Sequence, residues 1–131
     1  MNRKRIMVMS TAYAANPAHK ITVAPFPGRV VVTFKGTVVA DTVMALSLKE
    51  ASYPATLYIP RQDCKMVHFM ETDRTTKCPF KGTARYWSLT SKDGTSENAV
   101  WGYDNPFDQV AEIDGHVAFY PDRVDIRAGG A

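Results

Sequence analysis

The chain of 131 residues is short of several things that would have fixed its class at once. It has only two cysteines, Cys64 and Cys78, too few for a disulfide framework. A reduced, cytoplasmic protein is therefore expected. No Cys-x-x-Cys knuckle occurs, and the spacing of Cys64, His68, Cys78 and His116 is not that of a zinc finger, so no metal site is assigned. No apolar run approaches the length that crosses a membrane. The charge is not strongly of one sign: 16 Lys and Arg face 13 Asp and Glu, a formal net charge of +3. Part of that excess sits in Arg3-Lys4-Arg5, so the remainder is nearly balanced and no basic stripe invites nucleic acid. There are no internal repeats and no linker that would divide the chain. What is left is one soluble domain with an ordinary apolar content of 45%, long enough to bury a core without staples.

The apolar run after the basic leader is only Ile6-Met7-Val8-Met9 before Ser10 and Thr11 interrupt it, shorter than export uses. Residues 1–27 are read as a flexible arm, 28–127 as a single β-rich domain and 128–131 as a frayed tail. Within the domain, β-branched and aromatic runs alternate with turn residues. Arg29 to Phe34 predicts a strand, Lys35-Gly36 a turn, and Thr37 to Ala40 its hairpin partner. Met44, Leu46 and Leu48 repeat with period two, which favours a strand over a helix capped by Asp41 or Thr42. Thr56 to Ile59, Lys65 to Met70, Gly82 to Thr90, Thr95 to Tyr103, His116 to Tyr120 and Arg123 to Ile126 follow as strands. Glu71 to Arg74 reads as a loop, and Pro106 opens a short helix ending near Gly115. Eight or nine short strands with one or two short helices predict a curved antiparallel sheet or partial barrel.

The stretch from Thr75 to Trp87 carries the most chemistry. Cys78-Pro79 reads as a turn, because proline fixes its own backbone and extends the residue before it. Lys81-Gly82 then returns the chain to a sheet, setting a thiol and an ammonium at one strand mouth. A nearby cation favours the thiolate, the nucleophilic form. Cys78 and Lys81 are thus the candidate catalytic pair, with Arg61, also just beyond a proline-marked strand end, as a second cation. No histidine is placed locally to act as base, and a free cysteine is often a small buried hydrophobe. Tyr86 and Trp87 point to opposite faces of their strand, while Trp101 and Tyr103 share a face, so one of the first pair meets both of the second. These rings form either an aromatic core or a stacking wall for a ring-shaped ligand, with Asn98, Arg61 and Lys81 as polar anchors. His116, opening an apolar strand, is a further ligand-binding candidate or a brace for its hairpin.

Several matches occur in order along the chain: Arg29 to Phe34, Val39-Ala40-Asp41-Thr42, Tyr58-Ile59-Pro60-Arg61, Thr76-Lys77-Cys78-Pro79-Phe80-Lys81-Gly82 through Tyr86-Trp87, Asn98 to Tyr103, Pro106-Phe107 and Ile113 to Tyr120. On these segments the chain resembles the bacterial and fungal family catalogued as domain of unknown function 427. The resemblance implies a compact β-rich fold with a pocket and no established reaction. The family is sometimes labelled nucleotidyltransferase-like. That pattern needs a Gly-Ser turn before two carboxylates one residue apart; Glu71 and Asp73 supply the carboxylates, but no Gly-Ser precedes them.

Two functions are expected from different classes. The first is a small-molecule pocket for a polar or aromatic ligand, walled by Tyr86, Trp101 and Tyr103, with an enzyme using Cys78 and Lys81 as its sharper form. The alternative is a non-catalytic binding or scaffolding module, monomer or homodimer, in which the same residues are structural. No cofactor is assigned.

Overall fold

Period-two alternation governs the architecture. The computed structural model describes residues 9–130, and its ten strands pair antiparallel throughout. In chain order they are β1 (Ile21–Pro25), β2 (Arg29–Phe34), β3 (Thr37–Thr42), β4 (Leu46–Glu50), β5 (Thr56–Pro60), β6 (Phe69–Cys78), β7 (Gly82–Ser91), β8 (Gly94–Tyr103), β9 (His116–Phe119) and β10 (Asp125–Gly130). Seven form one sheet in the order β1-β4-β5-β9-β8-β7-β6, and three form a second in the order β10-β2-β3. The chain is mainly β, as the strand spacing predicts, but the sheets do not close into a barrel. Among the described residues, helical structure is limited to one turn of α-helix, α1 (Ala12–Ala15), and 3-10 turns at Arg61–Asp63, Met66–His68 and Asp108–Ile113.

Each face of the large sheet carries its own cluster. Val30, Val32 and Phe34 of β2 and Val39 and Ala40 of β3 pack with Ile59, Trp87, Leu89, Val100, Val117 and Phe119. The small sheet therefore covers that face. One residue along each strand lies the other cluster: Leu48, Tyr58, Ala84, Tyr86, Tyr103 and Ala118, with Val110 and Ile113 from the 3-10 turn. Trp101, Tyr120 and Cys78 pack at its margin. The Lys35-Gly36 turn has positive φ at both central residues (48° and 80°), which matches the twist of the strands it joins. Gly102 is required by close approach: a Cβ there would lie 2.7 Å from the His116 carbonyl oxygen, within the β8–β9 pair.

Several expectations are corrected. The stretch taken for an arm includes β1, because Ile21 and Val23 pack on the second cluster while β1 pairs with β4 along all five of its residues. The tail through Gly130 pairs with β2. The strand expected over Lys65 to Met70 is a 3-10 turn followed by the start of β6, so Cys64 and His68 do not share a strand face. Glu71 to Arg74, read as a loop for its polarity, lies within β6 at the edge of the sheet, where exposed polar residues cost nothing. The pairing of β6 with β7 shifts register between Glu71 and Thr75, a β-bulge. The short helix expected after Pro106 is present, as 3-10 turns over Asp108–Ile113. The leader within residues 1–8 and the end of the tail at Ala131 lie outside the described residues. Among the described residues, no helix is long and apolar enough to cross a membrane.

Candidate functional site

The large sheet's second face is only partly covered, and a pocket of about 250 Å³ opens on it. Strands β4, β5, β7 and β8 supply Leu48, Glu50, Thr56, Tyr58, Tyr86, Trp101 and Tyr103. The turn before β7 supplies Lys81, the loop before β5 supplies Tyr53 and Pro54, and Tyr120 follows β9. Five of the six tyrosines in the chain line this one space. The register explains the convergence of the expected wall: Tyr86 pairs directly with Trp101, and Ala84 with Tyr103.

The polar end of the pocket is an ion-pair network. Lys81 Nζ donates to Glu50 Oε1 at 2.5 Å, and His19 Nε2 meets Glu50 Oε2 at 2.8 Å. Burial alone would raise the Glu50 carboxyl, but the hydrogen bonds from Lys81 and His19 and their charges hold it below the usual range. His19 is itself stacked on Phe80, with ring centroids 4.0 Å apart, and Tyr13 meets Phe80 edge-on. Ser10 Oγ donates to the Pro79 carbonyl, so the segment before β1 is tied to the turn that presents Lys81.

The phenols differ in their surroundings. Trp101 Nε1 donates to the Tyr58 hydroxyl at 3.3 Å. Burial first, and then neighbouring groups including Glu50, push the Tyr58 and Tyr103 phenols well above their ordinary value. Both stay protonated at any ordinary pH. Tyr86 goes the other way. Burial raises it, but hydrogen bonds from Thr76 (2.9 Å), Tyr120 and Arg74, with the Arg74 guanidinium 4.9 Å from its ring centroid, outweigh burial and set it below the ordinary value. Tyr120 is raised, by burial first and by Tyr86 next.

The structure separates the remaining candidates. Cys78 flanks the same turn as Lys81, whose N–H donates to the Cys78 carbonyl, but its side chain is half-buried at the margin of the second cluster, behind the pocket wall. Lys81 directs its ammonium to Glu50 instead. Arg61 pairs with Asp104 at 3.2 Å, and Asp104 also takes Arg85 at 2.9 Å, so that both guanidinium groups lie over Trp87. Arg61 and His116 line a separate groove with Met44, Leu46 and Glu112. There His116 Nδ1 lies 3.1 Å from the Asp114 carbonyl oxygen. Asn98, with φ of 52°, takes a 2.6 Å hydrogen bond from Thr72 and lines a shallow polar depression with Arg74 and Arg123. Glu71, one of the two carboxylates of the nucleotidyltransferase pattern, is paired with Arg85 on the exposed edge. Cys64 is buried, and burial with Asp63 nearby pushes its thiol up to about 12 against the opposing effect of Arg61. Among the described residues, no three His, Cys, Asp or Glu side chains are grouped to hold a metal ion.

Sequence reasoning missed Glu50, Tyr58 and Tyr120 as pocket residues. A signal existed for Glu50, since it continues the alternation Leu46, Leu48 and so falls on the same face. Tyr120 gives no local signal, because its place depends on how β9 is laid between β5 and β8.

No curated protein matches the chain. The family model described as Domain of unknown function (DUF427) matches residues 22–130, from the second residue of β1 to the last of β10, and the chain belongs to that family.

Proposed function

We propose that the protein binds a small ring-bearing molecule in the tyrosine-lined pocket and that the β-sandwich exists to hold this wall rigid. One observation carries the reading: five tyrosines, Trp101 and the Lys81–Glu50 pair, drawn from seven parts of the chain, converge on one partly covered sheet face whose opposite side is sealed. Tyr58, Tyr86 and Tyr103 are buried, but Trp101 and Tyr120 are half-buried and Tyr53 is exposed, and a space stays open among them. Concave sites of this kind, apolar in body with a few fixed polar groups, are where ligands bind. The pocket suits a ligand little larger than a single substituted ring. Nucleic acid fits poorly, because no basic stripe accompanies the rings. The two free cysteines suit a reducing, cytoplasmic setting.

The test is a fragment titration followed by aromatic NMR signals, with Trp101→Phe as the assignment control. Ring-bearing fragments should shift the signals of Tyr58, Tyr86, Trp101 and Tyr103 together. Shifts confined to the Arg61 and His116 groove would overturn the reading.

A catalytic role for Cys78 and Lys81 is the sharper form of the proposal, and their shared turn favours it. If Lys81 activates the thiol, Lys81→Met slows alkylation of Cys78 at neutral pH and leaves Cys64 unchanged. If the rate does not move, the non-catalytic binding module stands, whether monomer or homodimer.

A further inference from the structure

The pocket holds hydroxyl groups that have nothing to donate to. Tyr103 is 5% exposed, and among the described residues its hydroxyl makes no hydrogen bond. Tyr58 is 1% exposed; its oxygen accepts from Trp101, which leaves its own proton without an acceptor among the described residues. Both residues line the pocket and neither hydroxyl is a sealed orphan, so a molecule that enters can accept from them. The ammonium of Lys81 has three donors, of which Glu50 Oε1 takes one. The nearest carboxylate is already engaged at both oxygens, Glu50 Oε1 with Lys81 and Oε2 with His19. Tyr86 is committed to Thr76, Tyr120 and Arg74. Among the described residues, the donors at this end of the pocket, the Tyr58 and Tyr103 hydroxyls and two N–H groups of Lys81, are the groups left to engage a ligand.

Resting on the ligand-binding reading above, we infer that the ligand is a planar ring bearing an sp² oxygen acceptor, a carboxylate or a carbonyl, seated on the hydroxyls of Tyr58 and Tyr103 beside Lys81. The acceptor takes the hydrogen bonds that these donors offer, and the ring lies against Trp101. A ligand that presents an ammonium at this position meets the like charge of Lys81 and is disfavoured. High phenol pKa values keep both hydroxyls protonated, so the donor character does not change with pH.

Benzoate, benzamide and benzylamine, three probes of one size, separate the outcomes when titrated into the protein and followed by the same aromatic signals. Benzoate and benzamide should bind, and benzylamine should bind at least tenfold more weakly. Whichever of the first two is tighter identifies the acceptor as charged or neutral; either order supports the inference. Tyr103→Phe keeps the ring and removes the donor, and should weaken both by about tenfold while leaving benzylamine unchanged. Tyr58→Phe provides a second variant should Tyr103→Phe fail to fold. If benzylamine binds as well as benzamide and the Phe variants change nothing, the pocket stands but the ligand class is wrong. If none of the three probes moves the pocket signals, the ligand-binding reading itself fails.

Discussion

The two faces of the large sheet are built from the same strands, one residue apart, and do opposite work. On the sealed face stand Ile59, Trp87, Leu89, Val100, Val117 and Phe119, under the three-stranded sheet. On the open face stand Tyr58, Tyr86, Trp101 and Tyr103 beside an ion pair. The sealed face gains from burying hydrocarbon, at roughly 25 cal/mol per Å². The open face uses rings that carry a polar atom at the tip, which a pocket can employ and a dry core cannot. The comparison teaches that a sealed core and an open pocket are assigned here by parity along the strand rather than by region of the chain.

The sharpest way to break this comparison is to truncate one residue on each face. Leu89 is fully buried, and Leu89→Ala should cost about 3 kcal/mol in urea unfolding, through lost transfer energy and a cavity under the small sheet. Tyr103→Phe should cost about 1 kcal/mol or less, and its effect should appear in ligand binding. Equal losses on the two faces would mean that the open face is core after all.

A second substitution acts on both faces at once. Gly102→Ala places a methyl group 2.7 Å from the His116 carbonyl oxygen and 3.4 Å from Trp87. Backbone cannot yield cheaply at that distance, so β8 and β9 must part. The expected loss is about 2 kcal/mol, measured by chemical denaturation. Hydrogen exchange should rise at Val100 and Gly102, which pair with β9, more than in the β2–β3 hairpin. A melting temperature unchanged by Gly102→Ala would contradict the close approach.

The smallest effect tests the polar end. Glu50 sits below its ordinary carboxylate value in the folded protein. Such a group stabilises fully above the unfolded value of about 4.3 and loses its contribution as pH falls through the lower folded value. Wild type should therefore be more stable than Glu50→Gln near neutral pH, with the gap closing between about pH 5 and pH 3. A gap that stays constant over that range would show that Glu50 contributes by shape and not by charge.

Much of this could be read from the chain. The Lys35-Gly36 and Asp93-Gly94 turns and the opposite faces of Tyr86 and Trp87 follow from glycine placement and period two, which are local properties. The shared face of Tyr86, Trp101 and Tyr103 follows once the hairpin joins them. What was illegible depended on distant pairing. Arg61 shares a proline-marked strand end with the Cys78 turn in sequence terms, yet β5 lies beside β9 and delivers Arg61 to Asp104 and the other groove. Lys81 looked free to act on Cys78 because nothing local shows that β4 brings Glu50 to it. The polarity of Glu71 to Arg74 signalled exposure, and an edge strand is exposed in the same way as a loop.

That edge has a consequence for how the protein behaves when crowded. β6 is an outer strand of the large sheet, ten residues long, and its outward backbone groups are an invitation to any extended chain. The bulge between Glu71 and Thr75 interrupts the ladder, leaving two regular runs, residues 69–71 and 75–78. Each is shorter than the roughly six residues from which a fibril spine is assembled. The residues at and beside the break, Glu71, Asp73, Arg74 and Lys77, are exposed and carry both signs of charge, so a strand arriving from solution meets mismatched spacing and fixed charges together. The irregularity in this strand thus acts as a stop against templated growth, and straightening it by deleting two residues of the bulge would give the chain a route to fibres that it now lacks.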